Sequence, residues 1–101
     1  MIVATARLVL SLPGNDSLKG KRKVVRSVLD RARHKFNAAL AEVDAMDEHR
    51  RVVLGAAVVS NDARHANAMI DAIIEFVATA SEAVLVDRRM ELVHLGELDD
   101  G

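Results

Sequence analysis

The residues of this chain that offer chemistry are mostly cations, and they lie close together near its start. Lysine and arginine side chains follow one another over residues 19–35. Residues 1–35 carry nine lysines and arginines against two aspartates, whereas residues 36–101 carry five against thirteen carboxylates, so the net charge of -1 conceals a strong segregation. Concentrated fixed cations bind phosphates and other polyanions. The charge pattern therefore predicts a surface for an anionic partner.

Projected as a helix, residues 18–35 place most of these cations on one flank, in a stripe about 20 Å long. The basic stripe consists of Lys19, Arg22, Lys23, Arg26 and Arg33. Its length and charge suit a phosphate backbone, although an ordinary solvated helix face has the same pattern. We add Lys21 to the candidate site. It projects near the apolar side of the helix, so its ammonium either snorkels along the sheet edge or pairs with a carboxylate such as Glu42.

Other chemistry-bearing residues form no recognisable constellation. The chain has no cysteine, which excludes disulfides, thiolate metal sites and cysteine nucleophiles. Its four histidines lack the paired spacing of zinc ligands, and the acidic segment 44–49 does not match a calcium-binding loop. Residues 13–16 match neither a P-loop nor a dinucleotide fingerprint. The sequence therefore predicts a protein that is not an enzyme and needs no metal or cofactor. The alternative of a catalytic function is supported only by the turn at residues 13–16 and an anion pocket at residues 17–21.

Six predicted elements position the basic stripe. Alternating or continuous apolar residues predict strands over residues 2–12, 38–43, 52–59 and 83–95, the last with a bulge near residues 87–89. Apolar residues at helical spacing predict helices over residues 18–35 and about 63–80. Ser17 caps the first helix, and residues 60–62 cap the second.

This order predicts an α+β, ferredoxin-like βαββαβ fold, in which a four-stranded antiparallel sheet carries two helices on one face. Residues 1–97 form a single domain in this interpretation, and residues 98–101 form a short acidic tail. The chain contains neither a secretory signal nor an apolar run long enough to span a membrane. We therefore expect a soluble cytoplasmic protein.

The sheet face turned away from the helices is predicted to be unusually apolar. If Leu8, Leu54 and Val58 point to the helices, the two-residue period of a strand places the residues that alternate with them on the opposite, open face. These are Val3, Thr5, Val9, Val53, Ala57 and Val59. Such a face meets a second copy, is covered by a loop or tail, or receives a protein partner.

Several short motifs, in this order along the chain, resemble the YlxP-like family. They include Ser17-Leu18-Lys19-Gly20-Lys21-Arg22, Phe36-Asn37, Leu54-Gly55 and Val58-Val59-Ser60-Asn61-Asp62. Members of this family are small bacterial proteins of unassigned biochemical activity. The resemblance implies a ferredoxin-like fold and a gene setting often among translation and ribosome-maturation factors. Gly20 replaces the acidic residue that the family more often has, so a capping-box partner for Ser17 is missing.

Two classes of function follow. The first is a non-catalytic RNA- or ribosome-associated protein that binds structured RNA or a ribosomal subunit through phosphates. Base stacking on the sheet is not expected, because Phe36 and Phe76 both fall in apolar helix stripes, and nothing indicates DNA in particular. The second is an interaction module whose open sheet face forms a homodimer or docks a protein.

Overall fold

The computed structural model describes residues 1–96. Its elements are β1 (Ile2–Ser11), α1 (Leu18–Lys35), β2 (Ala39–Asp44), β3 (Arg51–Ser60), α2 (Ala63–Thr79) and β4 (Val84–His94). The strands form one antiparallel sheet in the order β2-β3-β1-β4. The predicted ferredoxin-like α+β fold is therefore confirmed. The predicted acidic tail over residues 98–101 lies outside the described residues.

Both helices begin at the predicted caps. The Ser17 hydroxyl accepts a hydrogen bond from the Gly20 amide at 3.0 Å, and the Asp62 carboxylate accepts one from the Arg64 amide at 2.9 Å. Each bond satisfies an amide that has no partner within its own helix. The two caps explain why α1 and α2 start where the sequence predicts.

The glycine in the first turn of α1 makes room for a neighbouring side chain. A Cβ atom at Gly20 would lie 2.5 Å from Oδ1 of Asn15. Asn15 is held in place because its amide nitrogen donates to the carbonyls of Ser17 and His49, at 2.8 and 2.6 Å. Gly20 thus permits the contact by which the start of α1 is tied to the β2–β3 loop.

The core lies between the helices and one face of the sheet, and it is almost entirely aliphatic. Leu8, Leu54 and Val58 point into it from the sheet, while Ile70 and Ile73 meet them from α2. All five side chains are essentially removed from water, and each contributes about 1.5 to 3 kcal/mol of hydrophobic stabilisation. The predicted inward face of the sheet is confirmed.

Two β-bulges modify the sheet. On β4, Val86 has no partner on β1, since Asp87 pairs with Val9 and Leu85 pairs with Leu10. The bulge predicted near residues 87–89 is therefore present, and it lies at Val86, one residue before that range. On β2, a second bulge at Val43 was not predicted.

Candidate nucleic-acid interface

Four residues at the start of α1 form a continuous positive surface. Lys19, Arg22, Lys23 and Arg26 are all exposed, and together they line one shallow concave region. We call them the cationic cluster. Within residues 1–96, none of the four makes an ion pair with a carboxylate. Their charges are thus directed to solvent and remain open to an anionic ligand.

The cationic cluster continues into a groove between α1 and the α2–β4 turn. Lys23 lines both depressions, and Ser27 and Arg31 extend the groove along α1. The guanidinium of Arg31 donates a hydrogen bond to the carbonyl of Ala80, just beyond the end of α2. This bond joins the two walls of the groove and fixes their separation.

Arg33, the last residue of the basic stripe, is engaged within the protein. Its guanidinium donates to the carbonyl of Leu40 at 2.6 Å and lies 3.9 Å from the carboxylate of Asp30. The side chain remains exposed, but its hydrogen bond joins α1 to β2. The structure therefore separates the predicted stripe into an uncommitted cluster near the start of α1 and a tethered arginine near its end.

Lys21 lies apart from the other predicted binding residues. It is 1% exposed, and its ammonium lies 3.0 Å from Oε2 of Glu42 and donates to the carbonyl of Ala45 at 2.5 Å. Oε2 of Glu42 makes no hydrogen bond of acceptable geometry among the described residues, so its attraction to Lys21 is that of a close ion pair. The alternative in which Lys21 pairs with Glu42 is the arrangement found. Lys21 adds nothing to the exposed surface.

The bond from Lys21 holds an unusual backbone conformation. Ala45 has a φ of 57°, a left-handed conformation that costs a residue with a Cβ atom about 1 to 2 kcal/mol. Its carbonyl accepts from both Lys21 and the amide of Glu48, the latter at 3.0 Å. Lys21 therefore fixes the β2–β3 turn against α1, and its role is structural.

Replacing Lys21 by methionine is expected to destabilise the protein by about 3 kcal/mol, because Glu42 then keeps a largely buried charge without a partner. Urea denaturation measures the effect. The double variant Lys21→Met with Glu42→Leu should recover most of the loss, since no buried charge remains. Destabilisation that is equal in both variants would contradict this account of the pair.

The open face of the sheet is accessible only in part. Val59 is 64% exposed and Val3, Thr5 and Ala57 are partly exposed, which agrees with their predicted placement. In contrast, the two other residues of the predicted interface are buried within the protein itself. They are Val9, at 8% exposure, and Val53, at 0%. Neither offers a surface to a partner.

Two features of the open face cross β3 beside Val53, which pairs with Asp44 of β2. Arg7 on β1 and Asp44 on β2 form an ion pair at 3.5 Å, and β3 lies between these strands, so the pair passes over it. The bulge places Val43 against Gly55, where a Cβ atom would lie 2.9 Å from Cγ1 of Val43. The sequence offers little sign of this cover, because the bulge changes which side of β2 each residue faces.

Sequence reasoning also missed the exposure of β4. Nearly every residue of this strand is exposed, on both of its faces, although many are apolar. The large exposed hydrophobic residues in and next to it are Val84, Val86, Met90, Leu92, Val93 and Leu95. A long apolar strand normally indicates burial. The sequence does contain one sign of this exposure. Only two helices are predicted to cover a sheet of four strands, the last of which is long.

The two aromatic rings are not placed for base stacking on the sheet. Phe36 and Phe76 pack edge to face with centroids 5.7 Å apart, against the edge of the core, as their helix positions predict. The ammonium of Lys35 lies 5.2 Å from the centre of the Phe76 ring. The two rings therefore provide no stacking platform on the sheet.

Two further properties hold for residues 1–96. No group of three or more histidine, aspartate and glutamate side chains is arranged to hold a metal ion. Neither helix has the length and apolar character required to cross a bilayer.

The fold and the cationic cluster define a small α+β domain whose first helix carries four basic residues without a carboxylate partner within residues 1–96. Comparison with known proteins gives its family: residues 3–90 match the model described as "Protein of unknown function (DUF503)", and the chain belongs to this family. It is also similar to the "Uncharacterized protein YlxP" of Bacillus subtilis (strain 168), with 30% identity over 66 residues, which cover 65% of this chain and 72% of the relative. The predicted YlxP-like membership is confirmed.

Proposed function

We propose that this protein is a non-catalytic RNA-binding protein that associates with structured RNA or a ribosomal subunit. The observation that carries the proposal is the cationic cluster: four exposed cations that line one surface and have no carboxylate partner within residues 1–96. Lysine and arginine side chains of this kind neutralise phosphates, which dominate the affinity for nucleic acids.

The position of the cluster supports a role in binding, because cations at this position do not stabilise the fold. The first turn of α1 contains no acidic residue, and cations there oppose the helix dipole by a few tenths of a kcal/mol each. Mutual repulsion among Lys19, Arg22, Lys23 and Arg26 adds to this cost. Other basic residues of α1, such as Lys21 and Arg33, instead have partners that stabilise the protein.

The mode of binding follows from the side chains present. The cluster is carried on a helix, and Arg22 and Arg26 can each contact a phosphate through two nitrogens. No aromatic side chain lies beside the cationic cluster within the described residues. Binding would therefore depend on the shape and charge of the RNA backbone more than on base sequence. Structured RNA, which presents phosphates at regular spacing, suits such a surface.

Capture of the tagged protein from cell extract, with and without ribonuclease, tests the proposal. We expect RNA or ribosomal subunits to be recovered with the wild type, to be released by ribonuclease and to be absent when Arg22, Lys23 and Arg26 are replaced by glutamate. Recovery of equal RNA with the wild type and the variant would contradict a role for the cluster.

A second candidate function is an interaction module that uses the open sheet face. The observation in its favour is that Val3 pairs with Val59 on one side and with Val93 on the other. Val3 is partly exposed and the other two are exposed, so three valines form an accessible row across three strands. Val59→Glu should then abolish association without unfolding the protein, as measured by sedimentation. Unchanged association would exclude this face.

A further inference from the structure

Within residues 1–96, no strand covers the outer edge of β4 at any point along its length. β4 is an edge strand of 11 residues. It contains no proline, and Met90 and Leu92 on its helix-facing side are each 40% exposed. Natural proteins usually protect long edges of this kind, because unpaired backbone groups are templates for another strand.

The hydrogen-bond pattern shows which residues can accept such a strand. Met1 and Leu95 exchange both backbone bonds, at 2.8 and 2.9 Å, and the register is unbroken from there to Asp87. In an antiparallel ladder such pairs recur at every second residue. The odd-numbered residues of this segment therefore bond to β1. The even-numbered ones direct their N–H and C=O groups outward, and they include Arg88, Met90 and Leu92.

Two copies of β4 could pair in several registers, and the charged side chains favour one of them. With a two-fold axis at Met90, Arg89 of each copy lies opposite Glu91 of the other, on the same face of the sheet. A two-fold axis at Arg89 would place Arg89 opposite its own counterpart, and an axis at Glu91 would do the same with Glu91. Like charges would face one another in both registers. An axis at Arg88 sets that arginine against itself and meets the bulge at Val86.

We propose that the protein forms a homodimer in which β4 pairs antiparallel with β4 of a second copy, about a two-fold axis at Met90. The result is a continuous eight-stranded sheet. Residues 88, 90 and 92 exchange about six backbone hydrogen bonds between the copies. Because the axis is perpendicular to the sheet, Met90 meets its own counterpart, and the partly exposed Leu92 becomes covered.

This dimer is compatible with the proposed RNA-binding surface and does not depend on it. α1 packs on β2, at the edge of the sheet opposite β4. The two cationic clusters would therefore lie toward the two ends of the double sheet, uncovered by the interface. Loss of dimerisation would leave each cluster intact, so failure of one proposal is distinguishable from failure of the other.

Charge reversal at the two opposed positions tests the register. Arg89→Glu alone and Glu91→Arg alone should each weaken the dimer by about tenfold or more, because like charges then face one another. An equimolar mixture of the two variants should form heterodimers, since each glutamate now faces an arginine. The double variant should again form a homodimer. Sedimentation over a series of protein concentrations measures all four samples.

A backbone variant separates edge pairing from other contacts. Met90→Pro removes an outward N–H and leaves the bonds to β1 intact, so it should give a folded monomer by sedimentation and circular dichroism. Glu91→Pro removes an N–H that bonds to β1 and should destabilise the fold. A wild type that stays monomeric at all concentrations would overturn the proposal, as would a dimer that is unaffected by both single charge reversals.

Discussion

Replacing Arg22, Lys23 and Arg26 by glutamate is expected to reduce the affinity for structured RNA by at least about a hundredfold. Each phosphate contact releases condensed counterions, and three reversals both remove contacts and add repulsion. The three side chains are exposed and have no carboxylate partner within residues 1–96. The melting temperature should therefore change little. Fluorescence anisotropy with a labelled duplex RNA measures the loss of binding.

A control variant with the same net charge is available. Replacing Lys35, Arg51 and Arg64 by glutamate changes the total charge equally, but these residues lie at the end of α1, on β3 and on α2, outside the cationic cluster. We expect only a modest loss of affinity from this variant. Equal losses in both triple variants would show that overall charge, not the cluster, determines binding.

Replacing Val58 by aspartate is expected to unfold the protein, with a loss of more than about 4 kcal/mol. Val58 is 1% exposed and points into the core, where a carboxylate would have neither water nor a partner. A domain of this size is stable by only about 5 to 15 kcal/mol, so a loss of this order removes much or all of its stability. Circular dichroism and thermal melting measure the outcome.

The neighbouring residue is a matched control. Val59 lies next on the same strand, has the same side chain and is 64% exposed on the opposite face. Val59→Asp should leave the fold intact, with a small cost from lower strand propensity. If both variants unfold, or if neither does, the assignment of the two faces of β3 is wrong.

The elements of this fold follow closely from local sequence signals. Helix α1 was predicted over residues 18–35 and has these bounds, because Ser17 supplies its cap and the apolar period persists to its end. The even-numbered residues of β1 and β3 face the core as their alternation predicts. The prediction succeeds where the environment of a residue is determined by its neighbours in sequence.

The remaining features depend on contacts that are distant in sequence. Val53 is buried, and on the same face of the sheet Arg7 and Asp44 form an ion pair across β3 while the bulge places Val43 against Gly55. The exposure of β4 depends on how far two helices extend over a four-stranded sheet. Neither the periodicity of a strand nor its composition contains this information.

The candidate site shows the same division within a single helix. Periodicity placed Lys21 beside the apolar stripe, and it indeed contacts Glu42 and Ala45. It could not show that Arg33 would reach the carbonyl of Leu40, because this contact depends on the α1–β2 connection. Basic residues that look alike in sequence therefore serve two purposes: some stabilise the fold, and others remain open to a ligand.

The salt dependence of RNA binding is the most direct test of the central claim, that the cationic cluster holds an RNA through its phosphates. The affinity of the wild type for a duplex RNA should fall steeply as salt rises, with a log–log slope of about -3 to -4 if each cation of the cluster contacts one phosphate. Affinity should vary little with RNA sequence. The absence of salt-sensitive binding at low ionic strength would contradict the account and would show the cluster to be an ordinary solvated helix face.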